Sequence, residues 1–207
     1  MSVVLILGNG ISRLLLADRI AIWAGEVWGC NRAYLEPAIG PRLLRLTGHP
    51  AVMAEALAYK LQRHYAPWEI WGPITGVNTV TPFTCPDKYR RDSGTTLVAQ
   101  ALHEGLDVAA AGFDLGGPDI HSPRHWTQTR TGWVKRWRRL GERYGWDRIE
   151  FWGHDHKPFL RSGEEPSAYQ KRYVAGIPHI PGEEYRRLFA EQYGPATGHY
   201  EDGRRKE

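Results

Sequence analysis

The sequence predicts a single α/β domain in which a mostly parallel sheet carries helices on both faces. Three observations predict it. Short apolar, β-branched runs alternate with segments of helical periodicity at close spacing. The first run stops at Gly8-Asn9-Gly10, a glycine turn of the kind that leads from a strand into a helix. The stretch 107–113, Asp-Val-Ala-Ala-Ala-Gly-Phe, reads as a strand covered on both faces. At 207 residues the chain holds one sizeable core and has little room for two. Residues 1–195 are assigned to that domain and 196–207 to a solvated basic tail.

Taken in order, residues 2–7 form the first strand. Ile11, Leu14, Leu15 and the residues 18–22 then carry helical spacing. Strands follow at 26–30, ending in Cys30-Asn31, and at 42–46, before Gly48-His49-Pro50. Met53, Ala54, Leu57, Ala58 and Leu61 place a helix over 50–64. Short strands are expected at 68–71 and 76–80. Ser93 is read as the cap of a helix that runs to His103 and stops at Gly105 in a left-handed turn. After the strand 107–113 comes an irregular loop. A long helix over 127–144 turns Trp133, Trp137, Leu140 and Tyr144 inward, while Lys135, Arg136, Arg138, Arg139 and Arg143 cover much of the rest. The last strand is 148–152, with a loop over 166–181 and a terminal helix over 182–193 beyond it.

Composition narrows the function classes. Hydrophobic residues make up 42% and charged residues 24%, which excludes a disordered chain. The longest apolar run, 3–7, is far too short to span a membrane, and no basic flank or small-residue cleavage site marks a secretory signal. Two cysteines without metal-ligand spacing, Cys30 and Cys85, indicate a reduced compartment, so a cytoplasmic protein is expected. Nine tryptophans and a net charge of +4 suit partners that carry phosphate, although Gly203-Arg204-Arg205-Lys206 supplies part of that charge.

Ligands of such sheets bind at the carboxyl ends of the strands, near the point where strand order reverses. Three segments there can carry chemistry. Gly8-Asn9-Gly10-Ile11-Ser12 offers backbone N–H groups to an anion, although the third glycine of the dinucleotide fingerprint is missing. Its plain alternative is a tight turn. Arg90-Arg91-Asp92-Ser93-Gly94-Thr95-Thr96 sets arginine beside hydroxyls and a helix start, or is simply a capped helix with solvated arginines. The loop 114–126 holds His121 and His125, either of which can take a proton near neutral pH or serve only structure.

The order of these segments resembles that of bacterial sialyltransferases that use a CMP-activated sugar, and of a wider Rossmann-like group. Gly8-Asn9-Gly10-Ile11-Ser12 answers their G-N-G-P-S, and Cys30-Asn31-Arg32-Ala33-Tyr34 their C-N with an aromatic soon after. Arg90, Ser93 and Gly94 answer R-x-x-S-G, and Gly112-Phe113-Asp114 a strand ending in G-[IF]-D. His125 precedes the long helix, and Ile180-Pro181-Gly182-Glu183-Glu184-Tyr185 resembles I-P-x-x-E-x-Y. The likeness covers residues 2 to about 190 and rests on order, since no single motif is specific.

That resemblance implies an inverting glycosyltransferase that requires no metal or other cofactor beyond its nucleotide-sugar donor. Gly8, Asn9, Gly10, Ser12, Asn31, Ser93, Gly94, Thr95 and Asp114 would hold the donor. Arg90 would sit near phosphate or the sugar's acid group, and His125, with His121 as competitor, would act as general base. The acceptor would be a glycan or other hydroxyl, in one version borne on a nucleic acid. A homo-oligomer is compatible with this reading. The sequence departs from the pattern at His49, where an asparagine is expected, and at Leu115-Gly116-Gly117-Pro118, where donor-binding tyrosines are expected.

Three rivals remain. Archaeal-type pterin pyrophosphokinases share a similar opening and strand end, and would need Mg²⁺ held by carboxylates such as Asp92, Asp114 and Asp119. Gly153-His154-Asp155-His156 suggests a metallophosphoesterase but lacks the earlier ligands a two-metal site needs. The basic helix and the tryptophans suggest nucleic-acid binding, although Trp133 and Trp137 share the apolar face and read as core.

Overall fold

A computed structural model describes residues 2–10, 13, 16–63, 67–72, 80–86, 92–113, 118–120, 122–126, 130–152, 200–201 and 204–205. For 63, 118–119, 122–126, 130–134, 200–201 and 204–205 the backbone alone is described.

The elements in chain order are β1 (Val3–Leu7), α1 (Ala17–Ala21), β2 (Val27–Cys30), β3 (Leu43–Thr47), α2 (Pro50–Arg63), β4 (Glu69–Trp71) and β5 (Val80–Thr81). After them come α3 (Ser93–His103), β6 (Asp107–Ala111), β7 (Pro118–Asp119), β8 (Ser122–Trp126), α4 (Arg130–Tyr144) and β9 (Ile149–Trp152). Seven strands form one sheet in the order β5-β4-β3-β2-β1-β6-β9. Every neighbouring pair in it is parallel. The fold is therefore the α/β, Rossmann-like domain that the alternation of strands and helices predicts. Chain order runs outward from β1 to β5, then returns to the other side of β1 with β6. The reversal lies between β1 and β6.

Strand side chains alternate between two apolar layers, because successive residues point to opposite faces. Val4 and Ile6 of β1 join Trp28, Val108 and Ala110 against α3 and α4, through Leu97, Val98, Ala101, Trp137 and Leu140. Leu5 and Leu7 join Val27, Leu46, Ala109 and Ala111 against Ile20 of α1 and Met53 and Ala56 of α2. The central strands are buried on both faces, as their uninterrupted apolar sequence requires.

Where sequence and structure differ, local chemistry gives the reason. The cap of α3 is Asp92 rather than Ser93: its carboxylate accepts the Thr95 N–H at 2.9 Å, and Ser93 is the first helical residue. The helix ends as expected at Gly105, whose φ of +86° is the left-handed stop, with the Leu106 N–H returning to the Ala101 carbonyl. β6 stops at Ala111, two residues short of the expected end, because Gly112 turns to a φ of +73°. The segment read as an irregular loop before α4 contains an antiparallel hairpin, β7 with β8, so His125 lies on a strand. Of the strand expected at 76–80, Val80 lies in β5, and 76–79 lie outside the described residues, as do 153–199. Within the tail, Tyr200–Glu201 pairs antiparallel with Arg204–Arg205. No described helix is long and apolar enough to cross a membrane.

Candidate functional site

The reversal between β1 and β6 brings their carboxyl ends into backbone contact. The Gly8 N–H donates to the Ala111 carbonyl at 2.8 Å, and the Gly10 N–H to the Gly112 carbonyl at 2.6 Å. A Cβ on Gly8 would lie 2.3 Å from the Gly112 oxygen, and one on Gly112 would lie 2.8 Å from the Gly8 oxygen. These glycines are therefore required by the approach of two strand ends. The amides of Gly8 and Gly10, expected to face an anion, are bonded within the sheet edge instead.

Phe113 ties the second segment to this turn. Its ring occupies the place of a side chain at both Gly8 and Gly94, with Cβ positions 3.2 and 2.5 Å from ring carbons. The start of α3 is thus fixed beside the β1 turn by one phenyl group. Behind it Trp137 meets Phe113 edge-on at 5.2 Å and Phe151 at 4.5 Å, an aromatic stack that connects α4 to the sheet.

Asn9 and Asn31 are brought together by Cys30. The buried Cys30 thiol lies 3.6 Å from Asn9 Oδ1, and Asn31 Nδ2 lies 3.9 Å from the same sulfur. Asn31 sits at a φ of +53°, which asparagine tolerates better than most residues because its short amide hydrogen-bonds locally. Its Oδ1 accepts the His49 N–H at 3.4 Å. His49 in turn accepts the Ala51 N–H on Nδ1 and so helps to start α2, ahead of Pro50. Both asparagines remain partly exposed at the sheet edge.

The start of α3 carries its own counter-charge. Asp92 accepts from the Thr95 N–H, from the Thr95 hydroxyl at 2.5 Å and from Arg136 of α4 at 2.6 Å. Thr95 is 1% exposed and both its donors are engaged. An anion arriving at this helix end meets a carboxylate already in place.

The hairpin hangs from the same turn, since the Ile120 N–H donates to the Asn9 carbonyl at 2.8 Å and Ile120 is fully buried. Pro118 pairs with Trp126, which sets His125 at the end of the hairpin away from that anchor. Of the residues expected at the site, Gly8, Asn9, Gly10, Asn31, Ser93, Gly94 and Thr95 gather at the ends of β1, β2 and β6. Ser12, Arg90, Asp114 and His121 lie outside the described residues, as do Gly153-His154-Asp155-His156 and Ile180-Pro181. Among the described residues, no three His, Cys, Asp or Glu side chains are grouped to hold a metal ion.

Sequence reasoning missed Arg13 and Glu36. Arg13 is 2% and Glu36 3% exposed, and Arg13 Nη2 donates to Glu36 Oε1 across the ends of β1 and β2. Nothing local marks either position, because a single charged residue near a turn ordinarily reads as surface. No protein-family model matches this chain, and no curated protein or solved structure matches it either.

Proposed function

We propose that this chain is a cytoplasmic glycosyltransferase that takes a nucleotide-activated sugar, of the CMP-sugar type, at the carboxyl ends of β1, β2 and β6. One observation carries the reading: the described parts of the segments that resemble the sialyltransferase order lie together at the ends of β1, β2 and β6. Gly8 and Gly94 meet on one phenyl ring, and Asn9 and Asn31 flank one thiol.

In this reading the amides of Asn9 and Asn31 hold the nucleotide together with Ser93 and Gly94. The acceptor is a glycan or other hydroxyl. Its oxygen attacks the anomeric carbon from the face opposite the leaving nucleotide, the bond to phosphate breaks, and the acceptor proton passes to His125. Arg90 stabilises the departing phosphate, so no metal is needed.

A thermal-shift series with CMP, UDP, GDP and ATP, each with and without Mg²⁺, tests the proposal. A nucleotide at 100 times its Kd stabilises the folded state by about 2.7 kcal/mol. CMP acting without Mg²⁺ supports the reading, whereas ATP acting only with Mg²⁺ replaces it with the pyrophosphokinase. Given turnover of a CMP-sugar, His125→Ala is expected to lower kcat by about 10²–10⁴-fold with donor binding kept. His121→Ala is the control, and loss there alone moves the base to His121.

A further inference from the structure

Among the described residues, Arg13 is the only buried arginine or lysine. Its N–H donates to the Gly10 carbonyl, and its Cβ lies 3.2 Å from the place where Gly112 would carry one. The side chain therefore begins on the β1/β6 crevice, and its guanidinium meets Glu36 through Nη2 alone. Nε, with one N–H, and Nη1, with two, have no hydrogen-bond partner, although both atoms are fully buried. A guanidinium held only for structure has its donors satisfied, because each buried donor left unmade opposes folding. Such donors, beside a glycine turn, match in number and charge an acceptor with several oxygens. Among the described donors of the same crevice, the amides of Gly8 and Gly10 and both donors of Thr95 are already engaged.

We infer that Arg13 is a phosphoryl contact of this site, beside the Arg90 already proposed, taking phosphate oxygens on Nε and Nη1 while Glu36 holds the guanidinium in place. The inference rests on reading the crevice as a nucleotide site, and it names the residue that would distinguish a nucleotide from its nucleoside. Glu36 offsets the charge of Arg13, so it limits affinity for an anion while fixing its geometry. At 2% exposure Arg13 is reached only with a local rearrangement, and binding is coupled to that step.

Calorimetric titration of the full chain with CMP, cytidine and pyrophosphate tests this on the wild type, R13M, R13K and E36Q. Wild type is expected to bind CMP about 10–100-fold more tightly than cytidine, the usual weight of hydrogen bonds to a charged group. R13M is expected to bind the two alike with its cytidine affinity unchanged, and R13K to recover part of the difference. E36Q is expected to bind CMP more tightly than wild type, which a purely structural ion pair would not produce. If R13M still prefers CMP as wild type does, the assignment of Arg13 is overturned and the nucleotide reading survives. Binding of pyrophosphate to wild type but not R13M, with no nucleotide bound, overturns the nucleotide reading and keeps the phosphoryl site. If wild type binds none of the three, both fall. Should R13M fail to fold, R13M/E36L, which buries neither charge alone, answers the same questions.

Discussion

A Cβ on Gly8 would stand 2.3 Å from the carbonyl oxygen of Gly112, closer than any real contact, and both partners are backbone at the centre of the sheet. Neither strand end can yield without disturbing the β1/β6 hydrogen bonds. Gly8→Ala is therefore expected to lose about 1–3 kcal/mol or more in urea unfolding. Gly72→Ala is the control, because among the described residues its only neighbour within 4 Å is the Thr47 hydroxyl at 3.8 Å. It is expected to be neutral or slightly stabilising, by up to about 1 kcal/mol. Equal losses at both positions would refute the account of the crevice.

Asp92 joins two helices, capping α3 through Thr95 and pairing with Arg136 of α4. Asp92→Ala is expected to lose about 0.5–2 kcal/mol for the cap, with a further contribution below about 1 kcal/mol from the partly exposed ion pair. Asp92→Asn keeps an acceptor at the cap and should lose only the second part. A double-mutant cycle of Asp92→Asn with Arg136→Ala measures that part, and zero coupling would show that the two helices are not joined by charge.

How far the sequence reached depends on the range of the interactions concerned. Strands such as β1 and β6, and the stop of α3 at Gly105, are written in local patterns of apolar residues and in the freedom of glycine. The local sequence points to a cap one residue late, because Asp92 and Ser93 are both good caps and only tertiary geometry, including Arg136, selects between them. The hairpin of β7 and β8 has no alternating apolar pattern, and it is held to the sheet by Ile120 on the Asn9 carbonyl, a bond between backbone atoms far apart in sequence. Asn9 and Asn31 were legible as turn residues at strand ends. That they share the Cys30 thiol was not, since it depends on β1 and β2 being neighbours. The pair Arg13 and Glu36 lies beyond sequence reading for the same reason.

The Tyr34 hydroxyl donates to Glu55 Oε1 at 2.8 Å, and Arg32 donates to both oxygens of the same carboxylate. Burial, and then the adjacent Glu55 carboxylate, raise the Tyr34 pKa well above its ordinary value of about 10. A raised folded pKa means that the folded state holds the proton more tightly than the unfolded chain. Its stabilisation is complete below about pH 10 and is lost as pH climbs beyond that. Urea midpoints measured from pH 7 to 11 should therefore fall above pH 10, and Tyr34→Phe should flatten that fall. An identical fall in the Phe variant would assign it to other groups.

Asn31 allows backbone strain and ligand contact to be separated, because its φ of +53° and its side-chain amide are independent requirements. Alanine satisfies neither. It is held in the left-handed region at a cost of about 1–2 kcal/mol, and it also loses the bond to the His49 N–H. Glycine satisfies the backbone requirement alone, so Asn31→Gly is expected to be the more stable of the two by about 1 kcal/mol in urea unfolding. Nucleotide binding should not follow that order. If the Asn31 amide holds the nucleoside beside Asn9, both variants lose CMP affinity to a similar degree, by about 5–30-fold for one or two hydrogen bonds. Were Asn31→Gly to bind CMP as wild type does while Asn31→Ala did not, the residue would act through the turn it shapes, and the nucleoside would have to be held by Asn9 and the start of α3 without it.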